Sequence, residues 1–397
     1  MTRTLSLAER LSHLTLSPTM KAAAEADRLR RAGADVVDLG AGEPDFPTPD
    51  HVTAAAEEAL HQHFTKYTTN MGIVELREAI GARYREDYGV DYAPDEIIVT
   101  AGGKQALYHA AMGLFSPGDD VITHAPGWPT IIEQIKLAGA RPVVVELQPH
   151  DGFTLSAERL LAAVTPRTRA IVVNSPTNPT GAVMSEADAR ALATGAARRG
   201  IWVVLDLCYD RIVYDANTAN LLKIFGEYMR DQLVICASTS KTYAMTGWRC
   251  GWLVGPKILV QAANALQSHE TSNVNSIAQK AALAAMRGPQ ECVGAMVAEY
   301  RSRRDLVMGW LAEERRLPCT MPRGAFYVFP SVKSFLSPRG CPTSLDFASR
   351  LLTESHVVVT PGEAFGAPGY IRLSYATSVD TLREGTSRLI RFARSLV

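Results

Sequence analysis

The chain has 397 residues, more than one hydrophobic core usually organises, so two domains or one large α/β domain with an appendage is expected. Apolar residues make up 47% and charged residues 21%, the balance of a globular enzyme, and no apolar run is long enough for a membrane span. Lys+Arg and Asp+Glu both number 41, and a net charge of zero excludes the basic excess that nucleic-acid or membrane-surface binding requires.

The opening stretch MTRTLSLAERLSHLTLS carries charges in its first ten residues and lacks an apolar centre, so a signal peptide is not expected. Short β-branched runs then recur in chain order: EIIVT (96–100), DVIT (120–123), PVVVEL (142–147), AIVVN (170–174), WVVLD (202–206), LVICAS (233–238) and GWLVG (251–255). Most are almost continuously apolar, as strands buried on both faces are. Segments of helical periodicity such as QALYHAAMGLF and EADARALATGAARRG separate them, which predicts a mainly parallel sheet of seven strands with helices on both faces. The gap between LVICAS and GWLVG is too short for a comfortable helical crossover, so an antiparallel neighbour is expected there. Two long helical stretches follow, near 256–286 and 288–317, and then a smaller α+β unit with GAFYVFP, HVVVTPG and YIRLSYA as strands. The predicted division is a large domain over 46–290 and a small domain from 1–45 and 291–397. The six cysteines show no C-x-x-C spacing and read as reduced packing residues of a cytoplasmic protein, with no metal site.

Four polar clusters fall at the ends of the predicted strands, where ligands bind in open α/β sheets. In TAGGKQAL (100–107), Gly102 and Gly103 open a helix; they satisfy a tight turn, or leave backbone N–H groups free for a phosphate. In NSPTNPTGAV (174–183), Asn178-Pro179 is a turn or a rigid mount for an amide. Asp206, with Tyr209 three residues on, is a helix N-cap or a carboxylate placed in a dry cleft beside a cation. The stretch STSKTYAMTGWRCGW (238–252) offers hydroxyls at Ser238 and Ser240, a primary amine at Lys241 and a guanidinium at Arg249. Ser238-Thr239-Ser240-Lys241 matches the S-x-x-K of serine acyl-transfer enzymes, but the S-D-N and K-T-G that must accompany it are absent. The other reading makes Lys241 a Schiff-base lysine for a phosphorylated pyridine aldehyde, with Asp206 facing the ring nitrogen and Ser238, Arg249 and Gly103 taking the phosphate.

These clusters resemble the class I/II pyridoxal-5′-phosphate aminotransferases of fold type I, and most of all the bacterial aspartate (aspartate/prephenate-type) aminotransferases. The matching motifs span nearly the whole chain: GAGEPDFPTPDHV (40–52), KYT (66–68) with GIVELREAI (72–80), TAGGKQAL, VVNSPTNPTGAV, SKTYAMTGWRCGW, PRGAFYVFP (322–330) and IRLSYATS (371–378). The resemblance implies that Lys241 carries pyridoxal 5′-phosphate and moves protons, that Asp206 pairs with the pyridine nitrogen, and that Tyr209 and Asn178 hold the ring oxygen. It implies that Trp128 stacks on the ring, and that Gly103, Lys104, Ser238 and Arg249 bind the phosphate together with Tyr67 of a second subunit in a homodimer. Arg372 is to grip the substrate α-carboxylate beside Asn178 and the Gly40–Gly42 backbone, and Lys104 to meet a distal carboxylate. Ser240 is a weaker phosphate candidate. The implied activity belongs to amino acid metabolism: amino transfer from an L-amino acid, with aspartate the best choice, to a 2-oxo acid such as 2-oxoglutarate. The alternatives are another amino donor, a β-lyase or decarboxylase on the same fold, and a non-enzymatic regulator, which would need a DNA-binding extension that this chain lacks.

The chain departs from the family pattern at three places. Leu207-Cys208 stands where an acidic residue usually follows the aspartate. Gly127 stands where an aromatic residue usually precedes the tryptophan, which is expected to enlarge or reshape the substrate side. Thr15 stands where a basic residue favours prephenate, and Thr19 lies in the segment expected to close over the site.

Overall fold

The computed structural model describes residues 18–396, with Ala8 and Leu11, and residues 18–24 by their backbone. Thr15 lies outside the described residues; Thr19 falls in the helix Pro18–Arg31, its side chain outside them. The strands are β1 (Val37–Asp38), β2 (Ile97–Thr100), β3 (Asp120–Ala125), β4 (Arg141–Glu146), β5 (Thr168–Asn174), β6 (Trp202–Asp206), β7 (Leu233–Ser238), β8 (Gly251–Val254), β9 (Tyr327–Val328), β10 (Val357–Val358), β11 (Thr360–Pro361) and β12 (Ile371–Ser374).

Seven of them form one sheet in the order β2-β8-β7-β6-β5-β3-β4, and each is one of the seven apolar runs. β8 runs antiparallel to both neighbours, β2 and β7, as its short connection requires; the other pairs are parallel. Side chains alternate between two dry layers. On β6, Val203 and Leu205 join the core under the helices Val74–Tyr88, Glu186–Ala197 and Ser276–Arg287, while Val204 joins the core under Gly103–Leu114, Pro129–Leu137 and Lys257–Glu270. Central strands therefore need apolar residues at every position. β4, at the sheet edge, is the exception: its residues are exposed or half-buried.

A further core gathers the helices Glu291–Leu311, Ser344–Ser355 and Val379–Ser395 around β9 and β12, and takes in Val37 and Leu39 from the N-terminal side. The strand expected over HVVVTPG is two strands: β10 pairs with β1, and β11 joins β12 and β9 in a separate sheet. The helix expected near 256–286 is also two, broken between Thr271 and Asn275. Ser272 takes φ +57° there, and the Asn275 side chain caps the next helix by accepting from Ala278 N–H. The second long helix ends at Leu311, short of the expected 317.

β8 sets the approach to the sheet's ligand end. Gly251 lies opposite both Thr100 and Ser238, and a Cβ there would stand 2.6 Å from the backbone of Gly102 and Gly103. Gly251→Ala is therefore expected to displace that turn and to destabilise the fold by about 1–3 kcal/mol, the usual size of an overpacking effect. Urea denaturation measures it; an unchanged midpoint would show that the turn has room to move.

Candidate active site

The parallel strands deliver their C-terminal ends to one cleft of about 490 Å³. β2 leads to Gly103 and Lys104, β3 to Trp128, β5 to Asn178; β6 ends on Asp206 and β7 on Ser238, with Lys241 and Arg249 following. Arg372 enters from β12, and Gly40 and Gly42 close one side. All of the predicted site residues line this cleft except Tyr67, which is 90% exposed.

Asp206 is 2% exposed and accepts one bond, from Cys208 N–H at 3.2 Å. No helix follows it, so it is not a helix cap. Burial raises its pKa to about 6, opposed by the Cys208 contacts and assisted by Asp210; no cation faces it among the described residues. Lys241 is half-buried and donates from Nζ to Gly42 O at 2.5 Å. Its pKa falls to about 8, principally because of burial; Arg372 and Arg249 assist and Cys208 and Glu43 oppose. Cationic neighbours are thus secondary to desolvation here.

Arg372 is 6% exposed and meets no carboxylate among the described residues. Its Nη1 donates to Asn178 Oδ1 at 3.0 Å, its Nη2 to Gly40 O at 2.7 Å, and its Nε has no partner. Asn178 is held in turn by its own N–H, which donates to Asn174 Oδ1 at 2.8 Å. The Tyr209 hydroxyl lies 2.8 Å from the Tyr327 hydroxyl.

Gly102 adopts φ +85° and starts the helix Gly103–Leu114, whose first N–H groups have no acceptor in their own helix. A Cβ on Gly103 would lie 2.6 Å from Cys208 Sγ, so the turn and the cradle both require glycine. Ser238 Oγ is nearby, and Arg249, at φ +53°, is anchored on Thr246 O and Ala101 O. Ser240 lines the same cleft, and its N–H donates to Ser238 Oγ at 3.4 Å. Lys104 Nζ sits 5.2 Å from the Trp128 ring centre.

The residues fit pyridoxal phosphate on the chemistry of the donor set. A buried carboxylate without a cation suits a protonated ring nitrogen. Free helix N–H groups with Ser238 and Arg249 suit a phosphate. A buried guanidinium without an anion suits a carboxylate.

Gly127 does not line the cleft. A Cβ there would stand 2.3 Å from His124 O, so a side chain would be directed at the backbone and not toward substrate. The expected enlargement of the substrate side is therefore not found. Several lining residues carried no predicted role, among them Tyr327, Phe365 and Thr246. Tyr327 sits in an apolar run that reads as core, Phe365 ends the short helix Gly362–Phe365 after β11, and Thr246 donates to Glu43 at 2.9 Å across the chain.

The sequence profile described as "Aminotransferase class I and II" matches residues 34–389. The chain belongs to that family. It is 41% identical to an aspartate aminotransferase of Geobacillus stearothermophilus, over 98% of this chain and 99% of that one. It is also 41% identical to an aspartate/prephenate aminotransferase of Cereibacter sphaeroides, with the same coverage. Among solved structures, the aspartate aminotransferase of Rhizobium meliloti superposes with a TM-score of 0.94 at 39% identity, covering 98% of this chain and 99% of that one. The aspartate aminotransferase of Thermus thermophilus with maleate gives 0.91 at 40%, covering 98% and 100%. The fold is fold type I.

The unpaired Asp206 has a consequence for stability. An unfolded aspartate titrates near 3.8, and the folded one near 6, so between those values the native state holds more protons. Its stability then falls as pH rises from 4 to 6 and stays lower above. Asp206→Asn removes the penalty. In the apoprotein, with any imine-linked cofactor first released by reaction with an amine and then dialysed away, the variant is expected to be more stable than the parent at pH 8, by up to about 3 kcal/mol, with the difference closing at pH 4. Denaturant midpoints at the two pH values check this; a less stable variant at pH 8 would mean that the carboxylate is paired.

Proposed function

We propose that this aminotransferase transfers the amino group of L-aspartate to a 2-oxo acid such as 2-oxoglutarate, using pyridoxal 5′-phosphate. The observation that carries the reading is the pairing, in one cleft, of a buried carboxylate lacking a cation with a buried guanidinium lacking an anion. When bound, the cofactor supplies an electron-withdrawing ring that accepts the charge left at the substrate's Cα.

The chain's residues do the remaining work. Asp206 would keep a proton on the ring nitrogen, because a cation opposite it relieves the desolvation of its own charge. Tyr209 and the Asn178 amide would hold the ring oxygen, and Trp128 would cover the ring. Ser238, Arg249 and the N–H groups of Gly103 and Lys104 would hold the phosphate. Lys241, with its pKa at about 8, is neutral in a useful fraction near physiological pH and moves the proton at substrate Cα. Arg372, fixed by Asn178, takes the α-carboxylate. Lys104 would meet the distal carboxylate of aspartate: it lines the cleft, and Arg249 close to it makes that side of the cleft positive. The Thermus thermophilus relative has been solved with maleate, a dicarboxylate, which supports an acidic substrate here. The active form is proposed to be a homodimer, in which the exposed Tyr67 reaches the partner's phosphate.

Lys241→Ala is expected to lower turnover by at least about 10³-fold and to abolish the visible absorption of bound pyridoxal phosphate, while the melting temperature of the dialysed protein is retained. Retention of that absorption would move the reactive amine elsewhere. Substrate choice separates the two cations. Arg372→Ala should lower kcat/KM for every amino donor. Lys104→Ala should lower it for aspartate and glutamate by about 10–30-fold, the low end for a charge pair because Lys104 is exposed, and should leave alanine nearly unchanged. Equal losses for all donors would remove Lys104 from substrate recognition.

A further inference from the structure

Tyr327 is 0% exposed, yet it lies at the wall of the cleft between two groups that the proposed reaction uses. Its hydroxyl is 2.8 Å from that of Tyr209, and no other partner is made among the described residues. The Gly42 backbone covers it: a Cβ there would come within 3.2 Å of Tyr327 Oη. Its ring lies 4.3 Å below the Arg372 guanidinium, closer than the Phe365 ring at 5.1 Å. One side chain thus touches the tyrosine that faces the cofactor and the arginine that faces the substrate.

The hydrogen between the two hydroxyls belongs to one of them. A phenol has one hydrogen to donate. If Tyr209 gave its hydrogen to Tyr327, it would have none for a ligand. The Arg372 guanidinium stands over the Tyr327 ring, and a cation there draws electron density from the phenol and makes Tyr327 the stronger acid of the pair. The stronger acid donates. The charged and titratable groups facing the pair are Arg372 for both tyrosines and Cys208 for Tyr209, and the Cys208 thiol is kept neutral by burial.

We infer that Tyr327 is a positioning residue: it donates to Tyr209, so that the Tyr209 hydrogen is aimed into the cleft, and its ring carries the Arg372 guanidinium in place for the substrate carboxylate. This rests on the cofactor reading above. A donor on the cofactor's ring oxygen stabilises negative charge there and lowers the pH at which the bound chromophore loses its proton. Arg372, bound or unbound to a carboxylate, would then bear on the cofactor through Tyr327 and Tyr209, in addition to its bond with Asn178.

The test is a pH titration of the visible absorption of pyridoxal phosphate bound to the full chain. Tyr327→Phe keeps the ring under Arg372 and removes only the donor. Its titration midpoint is expected to rise by about half to one pH unit, with cofactor affinity and melting temperature retained. In a Tyr209→Phe background, Tyr327→Phe should add no further shift, because its effect passes through Tyr209. Tyr327→Leu, which removes the ring as well, should in addition weaken maleate binding several-fold, where Tyr327→Phe does not. An unchanged midpoint in Tyr327→Phe overturns the relay, and so does an equal shift in the Tyr209→Phe background. No visible absorption in the parent chain overturns the cofactor reading itself, and the relay with it.

Discussion

The site depends on a carboxylate that the fold buries and leaves without a cation. Asp206 ends the central strand β6, flanked by β5 and β7, and is 2% exposed. Placing an ionised group so is unfavourable unless a cation arrives, and the group then answers by raising its pKa. Arg372 is the opposite case, a guanidinium kept dry with one nitrogen unpartnered. The two dry cores on either side of the large sheet hold Asp206 in place, and the third core holds Arg372 through its β12 neighbours Ile371 and Leu373.

The charges are not left wholly idle. The loop Gly40–Gly42 lends carbonyl oxygens to two of the cleft's four cationic side chains: Gly40 O accepts from Arg372 and Gly42 O from Lys241. A carbonyl dipole satisfies a donor without neutralising its charge, so these contacts are weaker than a carboxylate would make. The loop itself is tied to the segment that bears Lys241 through Glu43 with Thr246, and through Thr48, which donates to Ala244 O and accepts from Trp248. A ligand carboxylate therefore competes with a neutral acceptor, and pre-organisation is retained without a strong internal rival.

Much of this was legible in the sequence, for physical reasons. A strand buried on both faces must be apolar throughout, so seven such runs announced seven strands, and polar residues just past their ends announced the ligand side. Asp206, Lys241 and Arg372 stood out because charges beside buried strands require an explanation. The rest was hidden where local composition is ambiguous. The break at Thr271–Asn275 contains neither glycine nor proline, and it is made by the cap of Asn275 and a left-handed Ser272. The division of HVVVTPG between β10 and β11 depends on which partners arrive from distant parts of the chain. Gly127 reads as space beside the tryptophan, and only the position of His124 O, 2.3 Å from where a Cβ would stand, shows that this backbone has no room for a side chain. Tyr327 was hidden by an aromatic strand that is also core: periodicity reports that a tyrosine is buried, not where its hydroxyl points.

The central claim, that Asp206 awaits a cation on the ring nitrogen, is tested most directly by ¹⁵N NMR of ring-labelled pyridoxal phosphate bound to the chain at pH 8. The nitrogen resonance should lie in the protonated range in the parent and move to the unprotonated range in Asp206→Asn. An unprotonated ring nitrogen in the parent would contradict the account.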